Sequence, residues 1–155
     1  MSDGPGADPA AIRALVEAYA AGVDARRYRD VAELFTEAGV LATSRAPGEP
    51  ATRETVGRDA IARALHGLDR YEVTLHVVAN HLARPRADHA TAVTGCIAHH
   101  LERAADGSCA DRVLGIRYAD LLERRAGAWA FARREVQVLW EERRPVERGR
   151  GATGA

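Results

Sequence analysis

The sequence predicts an α+β domain in which three N-terminal helices pack on a curved, cone-shaped antiparallel sheet. Three observations lead there. Before Gly67, apolar residues recur at three- and four-residue spacing; after Tyr71, the pattern turns to period two in four long arms separated by short turns. At about 3.3 Å per residue such arms would reach about 40 Å. A domain of 155 residues cannot hold them flat, so they must curve or bulge. Helices laid over one side of a bent sheet enclose a hollow that is dry inside and open at one end.

The elements follow in chain order. Residues 1–7 are a flexible lead, and Asp8-Pro9 offers an N-cap followed by proline at the first helical position, where its missing N–H costs nothing. Ile12, Leu15, Val16, Tyr19 and Val23 then form the stripe of a helix ending near Asp24. A short second helix is expected from Asp30, burying Val31, Leu34 and Phe35, before a strand over Gly39–Thr43. Thr43–Thr55, with two prolines and Gly48, reads as a mobile loop over a pocket mouth. Gly57–Gly67 is a third helix, inward through Ile61, Ala64 and Leu65 and stopped by its glycine.

The remaining strands are Tyr71–Leu82, Ala90–Leu101, Arg112–Arg124 and Ala128–Trp140, with turns at Pro85–Asp88 and Arg125–Gly127. From Glu141 to Ala155 the chain is polar and rich in arginine and glycine, the composition of a disordered tail. The organisation is thus a lead over 1–7, one domain over 8–140 and a tail over 141–155.

Composition narrows the function classes. The 22 acidic and 22 basic residues cancel, every base is arginine, and no basic run precedes the tail, so neither a nucleic-acid nor an anionic-membrane partner is called for. No apolar run approaches the roughly 20 residues of a membrane span, and the N-terminus lacks a signal pattern, so a cytoplasmic location is expected. Cys96 and Cys109 are too few and too widely spaced for a zinc or redox motif and read as reduced structural thiols.

Chemistry concentrates in the first hairpin. Five of the six histidines fall between Tyr71 and Leu101. Alternation places Thr74, His76, Val78 and Asn80 on one face and Val73, Leu75, Val77 and Ala79 on the other, so an imidazole and an amide sit among apolar neighbours. His99 and His100, being adjacent, point to opposite faces, and one of them meets His76 across the sheet. His66, His81 and His89 read as surface or turn residues. The same alternation separates His76 from His81 and opposes a histidine metal site, so no metal is expected.

Several short pieces, in their order and spacing, carry a resemblance: Tyr19-Ala-Ala-Gly-Val-Asp24 followed by Leu34-Phe35, Gly57-Arg-Asp-Ala-Ile61, Leu75-His-Val-Val-Ala-Asn80, Gly115-Ile-Arg-Tyr-Ala-Asp120 and Gly127-Ala-Trp-Ala-Phe-Ala-Arg-Arg134. Over about residues 10–140 the chain resembles the SnoaL-like branch of the nuclear-transport-factor-two-like superfamily, which includes scytalone dehydratase, bile-acid dehydratase, steroid isomerase and polyketide cyclases. The resemblance implies a cystatin-like α+β barrel and, from its dehydratases, a site made of Tyr19, Asp24, His76 and either His99 or His100. It also implies an arginine on the last strand, Arg134 or Arg133. Many relatives carry an acidic residue shortly after the Leu-Phe pair where this chain has Glu37-Ala38-Gly39, a departure that implies a different local turn. The fold also hosts proteins without catalysis.

Physical chemistry adds conditions. Asp24 lies at the C-terminal end of its helix, where the helix dipole disfavours a carboxylate, so it needs a partner; a histidine across the pocket would be one, and would become an oriented acid/base group near neutral pH. Tyr19 lies on the buried stripe, and its hydroxyl needs a partner or a substrate oxygen to polarise. Asn80 is a candidate substrate donor. Tyr118 and Asp120 share a strand face in the pocket wall or at a dimer face, and Arg134 either holds an anionic substrate group or pairs with Asp120. Trp129, Phe131 and Trp140 read as core and interface, Trp129 also as a candidate substrate contact.

The functional expectation is a cofactor-free lyase, isomerase or cyclase acting on a small hydrophobic, oxygenated molecule, of the kind found in natural-product or steroid-type metabolism. A homodimer is expected through the exposed sheet face. Two other readings stay open: a ligand-binding or assembly module without chemistry, and the small subunit of a ring-hydroxylating oxygenase.

Overall fold

A computed structural model describes residues 9–147. The expected lead and the Asp8 N-cap lie outside these residues, as does the end of the expected tail. The order is α1 (Pro9–Asp24), α2 (Tyr28–Glu33), β1 (Phe35–Ser44), β2 (Arg53–Val56), α3 (Arg58–Leu65), a 3-10 turn (His66–Arg70), β3 (Val73–Pro85), β4 (His89–Arg103), β5 (Cys109–Arg125) and β6 (Ala128–Val146). The strands make one sheet in the order β2-β1-β6-β5-β4-β3, antiparallel except where β1 runs parallel to β6.

The helices lie on the inner face. α1 closes over β3 and buries Ile12, Val16 and Val23, which join Val31 of α2, Ile61 of α3, and Phe35, Leu122 and Phe131 of the sheet in one apolar cluster. Gly22 lets α1 and α2 meet, since a Cβ there would fall 2.5 Å from Val31 Cγ2.

Two local expectations change. The second helix begins at Tyr28 and ends before Leu34, because the Leu34 carbonyl accepts from the Phe131 N–H at 2.9 Å and Phe35 already belongs to the sheet. The expected loop Thr43–Thr55 is shorter, since β1 continues to Ser44 and Arg53–Val56 returns along it as β2. The chain then turns into α3 through Gly57, whose φ of +88° suits a residue without Cβ and whose N–H bonds the Gly39 carbonyl at 2.8 Å.

The tail also starts later than expected. β6 runs on to Val146, pairing Glu141 with Leu114 and Val146 with Cys109. Its charged residues find cross-strand partners, Glu141 with Arg112 and Arg143 with Glu102, so a polar composition is compatible with a ladder here.

Bulges supply the bending that long arms require. Between Val78 and His81, three steps along β3 answer two along β4; β6 carries similar extra residues opposite Gly115–Ile116 and Leu121–Leu122. Each insertion reverses which face the next side chains take, and the one in β3 decides what reaches the site.

Candidate functional site

The last turn of α1 brings Asp24 against the inner face of β3. Asp24 Oδ1 lies 2.7 Å from His76 Nδ1, while Oδ2 accepts the His76 backbone N–H at 2.8 Å. The pair is sheltered, with side-chain exposures of 21% for Asp24 and 6% for His76. Burial alone would push the Asp24 carboxyl upward, but the two hydrogen bonds from His76 outweigh it and hold the group below its ordinary value. Asp24 is therefore an ionised acceptor near neutral pH. Nδ1 of His76 must then carry the proton, which leaves Nε2 as the basic nitrogen.

Of the adjacent histidines, His100 faces inward. It is 4% exposed, and its ring meets that of His76 edge-on with centroids 5.6 Å apart. Its Nδ1 lies 3.3 Å from the Arg112 carbonyl, an acceptor only, so Nδ1 is the protonated nitrogen here as well. Burial first, and the closeness of the His76 ring second, lower the His100 pKa to about 4. His100 is a neutral imidazole at physiological pH. His99 turns to the outer face and bonds Asp111 Oδ2 at 2.7 Å.

Both inward histidines line a cavity of about 360 Å³ between α1, α3 and the sheet. Leu41, Leu114, Ile116, Val136 and Val138 make its wall apolar, and Tyr19 and Tyr118 close the inner end. Tyr19 is 4% exposed, and burial raises its phenol to about 12, so it stays protonated. The Tyr118 hydroxyl lies 3.7 Å from Cys96 Sγ and is also pushed up by burial. The cavity mouth carries Thr43, Arg53, Thr55 and Arg70.

Other expected site residues lie elsewhere. Asn80 lies within the β3 bulge and is exposed on the outer side, with its Oδ1 against Gly95, because the extra residue inverts the alternation. For the same reason His81, expected at the surface, turns inward and meets Thr94 Oγ1 at 2.8 Å. Asp120 and Arg134 bond each other at 2.9 and 2.7 Å with both side chains fully buried just behind the cavity lining, and Arg134 Nη1 is left without a hydrogen-bond partner. The Arg134 guanidinium is sandwiched 4.1–4.3 Å from the rings of Tyr19, Tyr118 and Phe131. Trp129 is buried under Arg124 and does not line the cavity.

Two contributors escaped the sequence reading. Arg112 lines the cavity and is held by Glu141 at 2.8 and 2.9 Å; its parity with Tyr118 along β5 was the available signal. Tyr71 sits just before β3 and packs on His100 at 4.7 Å between ring centroids, and no pattern in the sequence marks it. Among the described residues, no three His, Cys, Asp or Glu side chains converge as a metal site would require.

Comparison with known proteins agrees with this architecture. The family model of the SnoaL-like domain matches residues 7–135. None of the curated proteins matches significantly. Among solved structures, a scytalone dehydratase candidate from Novosphingobium aromaticivorans is 24% identical, with a TM-score of 0.72 over 94% of this chain and 93% of its own. A type 2 hexachlorocyclohexane dehydrochlorinase (LinA) is 18% identical, with a TM-score of 0.72 over 94% and 91%. An NTF2-like protein with a cystatin-like fold, also from Novosphingobium aromaticivorans, is 24% identical, with a TM-score of 0.64 over 85% and 82%. At these identities the likeness concerns the fold.

Proposed function

The chain belongs to the SnoaL-like domain family, and from that premise we propose that it is a cofactor-independent acid/base enzyme of the dehydratase or isomerase type. The observation that carries the proposal is the double contact of Asp24 with His76, which orients a basic Nε2 in a residue that lines an apolar cavity. The likeness to a scytalone dehydratase candidate and to a dehydrochlorinase supports an elimination.

In the proposed reaction, His76 Nε2 takes the proton from a carbon next to a substrate carbonyl, and Asp24 stabilises the imidazolium that forms. Tyr19, protonated at neutral pH, donates a hydrogen bond to the carbonyl oxygen as charge builds there. Neutral His100 accepts from a substrate hydroxyl through Nε2 and so orients it. In a dehydration the proton on His76 passes to the departing hydroxyl, giving water and a carbon–carbon double bond; in an isomerisation it returns to a different carbon. Tyr118 shapes the inner wall. Asp120 and Arg134 brace the aromatic ring of Tyr19 from behind and act by positioning.

The test uses proton exchange, which does not require the natural substrate. Cyclic β-hydroxy ketones and β,γ-unsaturated ketones are incubated in D2O with the wild-type protein and with His76→Ala, and followed by NMR. Enzyme-dependent deuteration or water loss that falls by at least about a hundredfold in the variant supports the reading. Binding of these compounds without exchange or turnover by wild type points instead to a ligand-binding module.

The partner we propose is a second copy of the chain. Val73, Leu75, Val77 and Trp140 are 46–53% exposed on the outer sheet face, an apolar surface that a copy of the same face would cover.

A further inference from the structure

We propose that the molecule bound in this cavity carries an anionic group, a carboxylate in the simplest case, held at the mouth by Arg53 and Arg70 while its apolar body lies against the inner wall. The inference rests on the cavity being the substrate site and extends that reading to the substrate's charge.

Charge distribution carries the argument. Three arginines line the cavity, and no aspartate or glutamate does. Arg112 is neutralised in place, since Glu141 takes two of its N–H groups at 2.8 and 2.9 Å. Asp24, the acidic group behind His76, is already committed to that histidine. Arg53 and Arg70 have no carboxylate partner among the described residues, unlike their neighbours Arg133, paired with Glu54, and Arg58, paired with Glu33. Two uncompensated guanidiniums thus stand at the entrance of an otherwise apolar hollow, a field that favours an anion.

Arg70 is also pinned. One of its terminal nitrogens donates to the Tyr71 hydroxyl at 2.7 Å, and its guanidinium lies 4.7 Å from the centroid of that ring. Arg112 donates to the same oxygen at 2.9 Å, so Tyr71 is fixed from two sides. Most N–H donors of Arg70 stay available, in the planar fork that suits a carboxylate. Arg53 approaches from β2, on another part of the rim. The arrangement keeps the charged end of a ligand near water and its carbon frame near Leu114, Ile116 and Val138, which avoids burying an unpaired charge.

The experiment compares two probes of one shape, 2-naphthoate and 2-naphthamide, titrated into wild type, Arg53→Gln, Arg70→Gln and the double variant at low and at physiological ionic strength. Both arginines are exposed, so the variants should fold; circular dichroism checks this. Wild type is expected to bind naphthoate about tenfold or more tightly than naphthamide, with perturbation of the His76 and His100 NMR signals, since one charged hydrogen-bonded contact is worth at least about that factor. Each single variant should lose several-fold of the naphthoate-over-naphthamide preference and the double variant nearly all of it. Equal binding of the two probes overturns the proposal, as do a preference that survives in the double variant, naphthoate binding that leaves both histidine signals unmoved, or no naphthoate binding at millimolar concentration. A charge preference without exchange activity leaves this proposal standing and removes the catalytic reading. Exchange activity without a charge preference does the reverse.

Discussion

Asp24 grips His76 with both carboxylate oxygens, one at the ring Nδ1 (2.7 Å) and one at the backbone N–H (2.8 Å). An asparagine can reproduce one of these acceptors, but its NH2 then faces a donor. Asp24→Asn should therefore loosen or re-tautomerise the imidazole and lower turnover by about 10²–10³, with His76→Ala lowering it by about 10²–10⁴. Nitrogen-15 NMR of the histidine ring reports the tautomer directly. An Asp24→Asn protein that keeps both the Nδ1–H tautomer and the wild-type rate removes Asp24 from the mechanism.

Two groups of the site, His100 and Asp24, tie stability to pH in two acid windows. The His100 pKa falls from 6.5 to about 4 on folding, so the unfolded chain binds the extra proton first. The stability it contributes is complete above about pH 6.5 and is lost as pH falls toward 4. Asp24 is held below its ordinary 3.8, and its contribution, complete above that value, disappears only at lower pH. Urea unfolding as a function of pH should show both limbs, and His100→Gln should shrink the one below pH 6.5, to which His81, also lowered by burial, contributes as well, while sparing the other. A His100 ring that titrates near 6.5 by NMR would contradict this.

The Asp24–His76 contact was legible because helix phase and strand alternation are each set by local spacing, and the inward stretch Thr74–Val78 contains no insertion. Asn80 and His81 take faces opposite to those that alternation predicts, for a reason local pattern does not carry. The extra residue after Val78 is visible only in the pairing with Cys96 and Thr94, and it moves one side chain out and the other in. For His99 and His100 the sequence dictates opposite faces but not which is which; that choice comes from the pairing of β4 with β5, which places Thr94, Cys96 and His100 on the side of Tyr118 and Arg112. β2 is four residues long, too short for alternation to register. The polar end of β6 hid its strand because its charges are satisfied across the ladder by Arg112 and Glu102.

Asp120 and Arg134 are fully buried and bonded bidentately, so removing one partner strands the other charge. Asp120→Ala should destabilise the fold by about 3–5 kcal/mol. Replacing both groups removes the need for compensation: Asp120→Leu with Arg134→Met, whose thioether suits the three surrounding rings, should recover about half or more of the loss. Chemical denaturation of Asp120→Leu, Arg134→Met and the double variant measures the coupling. Additive losses would mean that the pair is not energetically coupled.

The outer sheet face predicts the assembly. Leu75 stands opposite His99 and is 53% exposed, with Val73 and Val77 beside it on β3, while Trp140 covers Gly115 two strands away; a Cβ at Gly115 would fall 2.0 Å from the indole Nε1. Because these apolar side chains belong to one face, a single change at its middle disrupts the patch without touching the inner core. Light scattering during gel filtration should give twice the chain mass for wild type and one chain mass for Leu75→Arg, with circular dichroism unchanged. The cavity lies on the opposite face of the sheet, so the monomeric variant should keep its binding of 2-naphthoate. A wild-type protein that scatters as a monomer at high micromolar concentration would leave this face without its expected partner.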